Sequence, residues 1–184
     1  MKKNPIYTIG HGHRKQDEFL GLLKQFEIQY LIDVRSQPYS KFNPDFNQNE
    51  IKLFLEKNSV KYVYMGDTLG GMPKDLSCYT PKGIVDYEIL KSKDFFLKGI
   101  DRLIIANDQD LKIVILCSES KPTECHRTKL IGRVLSEHEI AVVHIDEKGK
   151  LKDQITVINE LNKGYSEIDL FGEKKNTTSR KPHL

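Results

Sequence analysis

Three short stretches hold residue types that move protons, donate electron pairs or grip anions. They are Gly10-His11-Gly12-His13, Asp33-Val34-Arg35-Ser36, and the run from Cys117-Ser118-Glu119 through Pro122 to Cys125-His126-Arg127. A histidine between glycines suits a general base or a phosphate donor at a turn, and His126 is a second candidate for moving protons. Asp33 and Glu119 would orient such groups, while Arg35, Ser36 and Arg127 are the candidates to hold phosphate or carboxylate. Cys125 stands beside His126 and Arg127 near a predicted helix start, conditions that lower a thiol's pKa and make it nucleophilic.

The helix itself sharpens these assignments. Leu130, Ile131, Val134 and Leu135 define its buried stripe, and stepping back at about 100° per residue puts Arg127 on that stripe and Cys125 on the opposite, outward face. An arginine so placed either meets an anion at the helix N-terminus or pairs inside the protein with Asp33 or Glu119. Cys125 then reads as catalytic, as incidental, or as half of a metal or redox site with Cys117. Cys117 ends a buried strand, where a cysteine is usually a small core residue. The spacing of Cys117 and Cys125 matches no strong zinc pattern, and His11 with His13 would need Asp33 to complete a metal site. No metal and no cofactor is therefore expected. The stretch from 36 to 47 interleaves Tyr39, Phe42 and Phe46 with Lys41 and hydroxyls, which suits either a lid over the core or a surface that stacks a base.

The elements that position these residues follow from hydropathy. Residues 6–9, 30–34, 60–64, 112–116 and 140–145 are short apolar runs that read as strands. Between them, Phe19, Leu22, Leu23 and Phe26, then Ile51, Phe54 and Leu55, then Phe96, Ile100, Leu103 and Ile104 recur at helical spacing. Residues 151–161 read as the last helix, and residues 66–83, with Gly70-Gly71, Pro73 and Pro81, as a loop. Strands alternating with helices predict an α/β fold: three layers, with a mostly parallel sheet of about five strands covered on both faces. In such sheets ligands bind outside the carboxyl ends of the strands, and the three reactive stretches all follow strand ends.

Composition bounds the rest. The chain has 184 residues, 38% of them hydrophobic, enough for one domain over residues 1–172. No apolar run approaches the roughly 18 residues of a membrane helix, and the first residues lead straight into a strand, so a cytoplasmic protein without membrane contact is expected. Three cysteines with no secretory signal argue for free thiols. The net charge is +3, but the tail beyond Gly172 carries Lys174, Lys175, Arg180 and Lys181 against Glu173, leaving 25 basic and 25 acidic residues before it. Affinity for phosphate must therefore come from a local cluster or from the tail. Residues 173–184 are polar, basic and unpatterned, and read as a disordered tail.

Taken in order, several blocks resemble a widespread prokaryotic family, domain of unknown function 488. They are Tyr7-Thr8-Ile9-Gly10-His11, Asp33-Val34-Arg35-Ser36 with Pro38 and Ser40, Pro44 with Phe46-Asn47, Leu69-Gly70-Gly71, Cys117-Ser118-Glu119 with Pro122, Cys125-His126-Arg127, and Val143-His144-Ile145. The resemblance implies the α/β fold and the same pocket and carries no reaction with it. His13 falls outside its blocks, and Met72 stands where relatives commonly have arginine. Farther on, Glu167, Ile168, Asp169, Leu170 and Phe171 resemble the pentapeptide by which bacterial repair and replication proteins bind the sliding clamp, with Leu170 and Phe171 as apolar anchors and Glu167 in place of glutamine.

The sequence thus leads to an enzyme acting on a nucleotide or nucleic acid by hydrolysis or group transfer, in a setting associated with DNA repair. Two alternatives stay open: a non-catalytic nucleotide- or nucleic-acid-binding module, and thiol or metal chemistry at Cys117 and Cys125.

Overall fold

Alternation along the strands sets the layers. The computed structural model describes residues 3–163 and 177–183. Strands β1 (Ile6–Gly10), β2 (Tyr30–Asp33), β3 (Lys61–Tyr64), β4 (Ile113–Cys117) and β5 (Val142–Ile145) run parallel in the order β3-β2-β4-β1-β5. β4 and β1 occupy the middle, and every residue of β4 is buried. Successive side chains point to opposite faces. Ile9, Leu31, Val114 and Leu116 accordingly pack on one side with Phe19 and Leu23 of α1 (Gln16–Gln25) and Ile51 and Leu55 of α2 (Gln48–Lys57). Ile6, Ile32, Ile113 and Ile115 face the other side.

That second side is covered by Phe96, Ile100 and Leu103 of α5 (Asp94–Asp108) and by Leu130 to Leu135 near the chain's second half. Between β3 and α5 the segment 66–83 expected as loop contains one short helix, α3 (Gly66–Leu69), and a second, α4 (Tyr87–Leu90), follows it. Asp86 caps α4 by accepting from the amides of Glu88 and Ile89.

The sheet has a sixth strand that the hydropathy of residues 151–161 concealed. β6 (Leu151–Asp153) folds back antiparallel on β5 through a turn closed by Asp146 N to Lys150 O at 2.9 Å. Asp153 then caps α7 (Gln154–Leu161) by accepting from Thr156 N, so the helix starts three residues late. A three-residue edge strand is too short to show a period of two, and its residues merged with the helix pattern. Among the described residues, no helix is long and apolar enough to cross a membrane.

Candidate functional site

The site grows out of the end of β4. After Cys117 the chain loops through a 3-10 turn, Pro122–Glu124, reaches Cys125 in an extended conformation, and enters a helix whose first six residues, Arg127–Gly132, are wound as a π-helix before α6 (Arg133–Glu137) continues. Arg127, 0% exposed, clips this loop from inside. Its guanidinium donates to the carbonyls of Glu119 at 2.8 Å and Ser120 at 3.0 Å. The close approach depends on Gly10, since a Cβ there would stand 1.8 Å from the Glu119 carbonyl oxygen.

So clipped, the loop gathers four reactive side chains. The Cys117 thiol donates to Glu119 Oε2 at 2.8 Å, and the sulfurs of Cys117 and Cys125 each lie 3.7 Å from His126 Nδ1. The amide of Arg127 donates to Cys125 Sγ at 3.4 Å. The His126 ring lies against Gly71, where a Cβ would be 2.8 Å from Nδ1. Among the described residues, Cys117, Cys125 and His126 form a group whose ligand atoms all fall within 4.8 Å of one another.

Their charges are set jointly. Burial alone would push the Cys117 thiol up, but the hydrogen bond with Cys125 and the field of His126 overcome it and bring it down to about 6. For His126, burial favours the neutral ring, yet the charges of Cys117 and Glu119 win and raise it. Burial likewise opposes ionisation of Glu119, and its contacts with Cys117 and His126 lower it all the same. Cys125 is pushed well up by burial and by its neighbour Cys117. The two thiols therefore lose their first proton at Cys117, beside an imidazole whose proton is favoured in turn.

Above this cluster lies a cavity of about 110 Å³. The buried Cys117 and His126 and the half-buried Glu119 form its floor, Arg35, Ser36, Met72 and Ser179 also line it, and the more exposed Arg180, Lys181 and His183 stand at its mouth. The mouth residues belong to the stretch read as a disordered tail, and for 177–183 that reading is corrected. Thr178 bridges Asp86 in antiparallel fashion, Ser179 N donates to Val85 O at 2.9 Å, and His183 N donates to Gly83 O at 2.8 Å. Arg180 pairs with Glu124 at 3.0 Å. Backbone pairing of this kind needs no hydrophobic pattern, so hydropathy could not reveal it.

The residues expected from sequence divide in two. Asp33, Arg35 and His11 form a second polar cluster on the α1–α2 side. Arg35 forks onto Asp33, with Nε to Oδ1 at 2.8 Å and Nη2 to Oδ2 at 2.6 Å, and donates Nη1 to Phe46 O at 2.8 Å. Tyr62, which the sequence did not single out, donates to Asp33 Oδ2 at 2.7 Å. His11 is buried and stacked on Phe46 with ring centroids 4.8 Å apart. Burial first, then the charge of Arg35, lowers it to about 4, so it is neutral near pH 7. Ser36 Oγ accepts from Met72 N at 2.9 Å. His144 is held by Thr8 and Gln154 at 2.7 and 2.6 Å.

Two expectations change. Arg127 meets backbone carbonyls rather than Asp33 or the Glu119 carboxylate, so it braces the loop from within. Cys125 points inward and is 1% exposed, because the chain there is extended and the first turns are wider than the α-helix on which the 100° step relied. His13 is exposed. The clamp-like residues Glu167, Ile168, Asp169, Leu170 and Phe171 lie outside the described residues.

The model of a family described as Domain of unknown function DUF488 matches residues 15–134, a span that contains β4, the clipped loop and both of its cysteines. No curated protein and no solved structure matches.

Proposed function

The chain belongs to the DUF488 family, and we propose that its pocket carries out hydrolysis or group transfer through the thiolate of Cys117. The observation that carries this reading is the position of Cys117, which lines an open cavity while its sulfur contacts both Glu119 and His126. A thiolate facing an imidazolium is an activated nucleophile.

The chemistry balances as two steps. The Cys117 sulfur attacks an electrophilic centre, the bond from that centre to its leaving group breaks, and His126 gives the leaving group its proton. The neutral imidazole then takes a proton from water or an acceptor hydroxyl, whose oxygen attacks the centre and releases the thiolate. Glu119, beside both groups, favours the charged imidazole.

Size and charge restrict the substrate. A cavity of about 110 Å³ is well below the roughly 300–1,000 Å³ of pockets that enclose a whole drug-sized ligand. Only the reacting group enters, and the remainder lies at the mouth, where Arg180 and Lys181 favour an anion. A nucleotide or nucleic acid, with charge distributed beyond its reacting group, fits that division.

The test is covalent trapping. Incubating the protein with a panel of nucleotides and oligonucleotides, quenching with acid and mapping peptides is expected to place an adduct on Cys117, with adduct and turnover both lost in Cys117→Ser. Turnover that survives Cys117→Ser overturns the proposal, and binding of the panel without adduct or turnover favours a non-catalytic module.

A further inference from the structure

The same floor has a second chemical capacity, which rests on where its donor atoms stand rather than on the catalytic reading. Two ligands of a tetrahedral zinc ion, with sulfur at about 2.3 Å and nitrogen at about 2.0 to 2.1 Å from the metal, lie about 3.6 Å from each other. Both sulfurs lie 3.7 Å from His126 Nδ1, and the three ligand atoms fall within 4.8 Å of one another. We propose that Cys117, Cys125 and His126 form a zinc site whose fourth position opens into the cavity.

Glu119 is not the fourth ligand. Its Oε2 is 2.8 Å from Cys117 Sγ, whereas a sulfur and an oxygen bound to one tetrahedral zinc stand about 3.5 Å apart. The carboxylate would have to retreat to coordinate, so it serves beside the ion, and water or a small anion takes the open position. Charge supports the same count. Two thiolates and a neutral imidazole neutralise a divalent ion by themselves, so a bound carboxylate is not needed to offset its charge in a buried floor. The Cys125 sulfur also has a donor of its own in the amide of Arg127 at 3.4 Å, the kind of outer hydrogen bond that supports a metal-bound thiolate. The cavity above supplies the entry path.

Zinc and an electrophilic substrate would compete for the lone pairs of Cys117. The ion then acts as a reversible stopper, silencing the thiolate while bound and shielding it from oxidation.

Metal-free, reduced full-length protein titrated with Co2+ is expected to develop thiolate-to-cobalt charge-transfer bands at one ion per chain, discharged by Zn2+. Competition between Zn2+ and a chromophoric chelator should give an apparent Kd below about 1 µM at pH 7.5. Cys117→Ser and Cys125→Ser should each weaken binding by at least about 100-fold, and Cys78→Ala, which alters a core cysteine outside this donor group, should leave it unchanged. A measurement on the unmodified chain guards against misfolded variants: Zn2+ should slow alkylation of Cys117 and Cys125 by iodoacetamide at least about tenfold. Octahedral cobalt without charge-transfer bands, binding that survives Cys117→Ser, or alkylation that Zn2+ does not slow would each overturn the site. Rapid alkylation of Cys117 that is insensitive to Zn2+ would do so while leaving the nucleophile reading intact.

Discussion

Two polar clusters sit under the same carboxyl rim, rooted on opposite faces of the sheet though Arg35 of the first also lines the cavity of the second, and they differ in how completely their members are occupied. On the α1–α2 side Asp33 accepts from Arg35, from the Arg35 amide and from Tyr62, and His11 lies flat against Phe46. On the other side Cys117, Glu119 and His126 also touch one another, but they line a cavity. Residue types that look equally catalytic in sequence thus serve different ends. Asp33 and Arg35 join the turn after β2 to the 3-10 turn at Pro44–Phe46, whereas the cysteine cluster keeps reactive atoms facing a space that a ligand can enter.

The sharpest way to break this contrast is to exchange one atom in the open cluster. Cys117→Ser is expected to lower turnover by at least about 10³-fold with little loss of stability, since the hydroxyl fills nearly the same volume but ionises far less readily. Steady-state kinetics beside urea denaturation checks both halves. Asp33→Ala should do the reverse. It strands the buried Arg35 guanidinium and should cost about 3–5 kcal/mol of stability, measured by denaturant unfolding. In the fraction that remains folded, the pH profile of Cys117 should be unchanged.

The histidines give the contrast a pH signature. His11 has its pKa lowered to about 4, so the folded state disfavours its proton. The stability this contributes is complete above the ordinary value near 6.5 and is lost as pH falls toward 4, by up to about 3 kcal/mol, a loss that His11→Asn should flatten. His144, lowered to about 4 chiefly by burial, adds to the same acid limb. His126 is raised, so its contribution is complete below about 6.5 and fades as pH rises through its folded value. Thermal melts across pH for the unaltered chain, His11→Asn and His126→Asn separate the two. The smallest effect belongs to the mouth. Arg180→Ala removes an exposed pair with Glu124 worth under about 1 kcal/mol, and should raise KM for an anionic substrate a few-fold while leaving kcat unchanged.

The sequence was most legible where many residues vote together. The periodicities around Phe19 and Leu23, and around Phe96, Ile100 and Leu103, marked α1 and α5, and the buried run through Val114 and Leu116 marked β4. Which rim residues would share a pocket was not legible, because that depends on strand parity at the ends. One residue of pleat puts Cys117 on the side of Ile113 and Ile115, away from His11 and Phe46. Cys117 itself read as core because all of β4 is buried, and only the shape of the following loop leaves a cavity for it to line. Cys125 was turned the wrong way by an assumed α-helical step where the chain is extended and then π-wound. The strap through Ser179 is held largely by backbone hydrogen bonds, which leave no trace in hydropathy.

The most direct test of the contrast is the rate of Cys117 alkylation by iodoacetamide as a function of pH, followed by peptide mapping in the absence of added metal. A profile with its midpoint near 6, and modification of Cys117 at pH 7 at least about tenfold faster than that of Cys125, is the expected result. A midpoint at the ordinary thiol value near 8.5, or Cys125 reacting first, would contradict it.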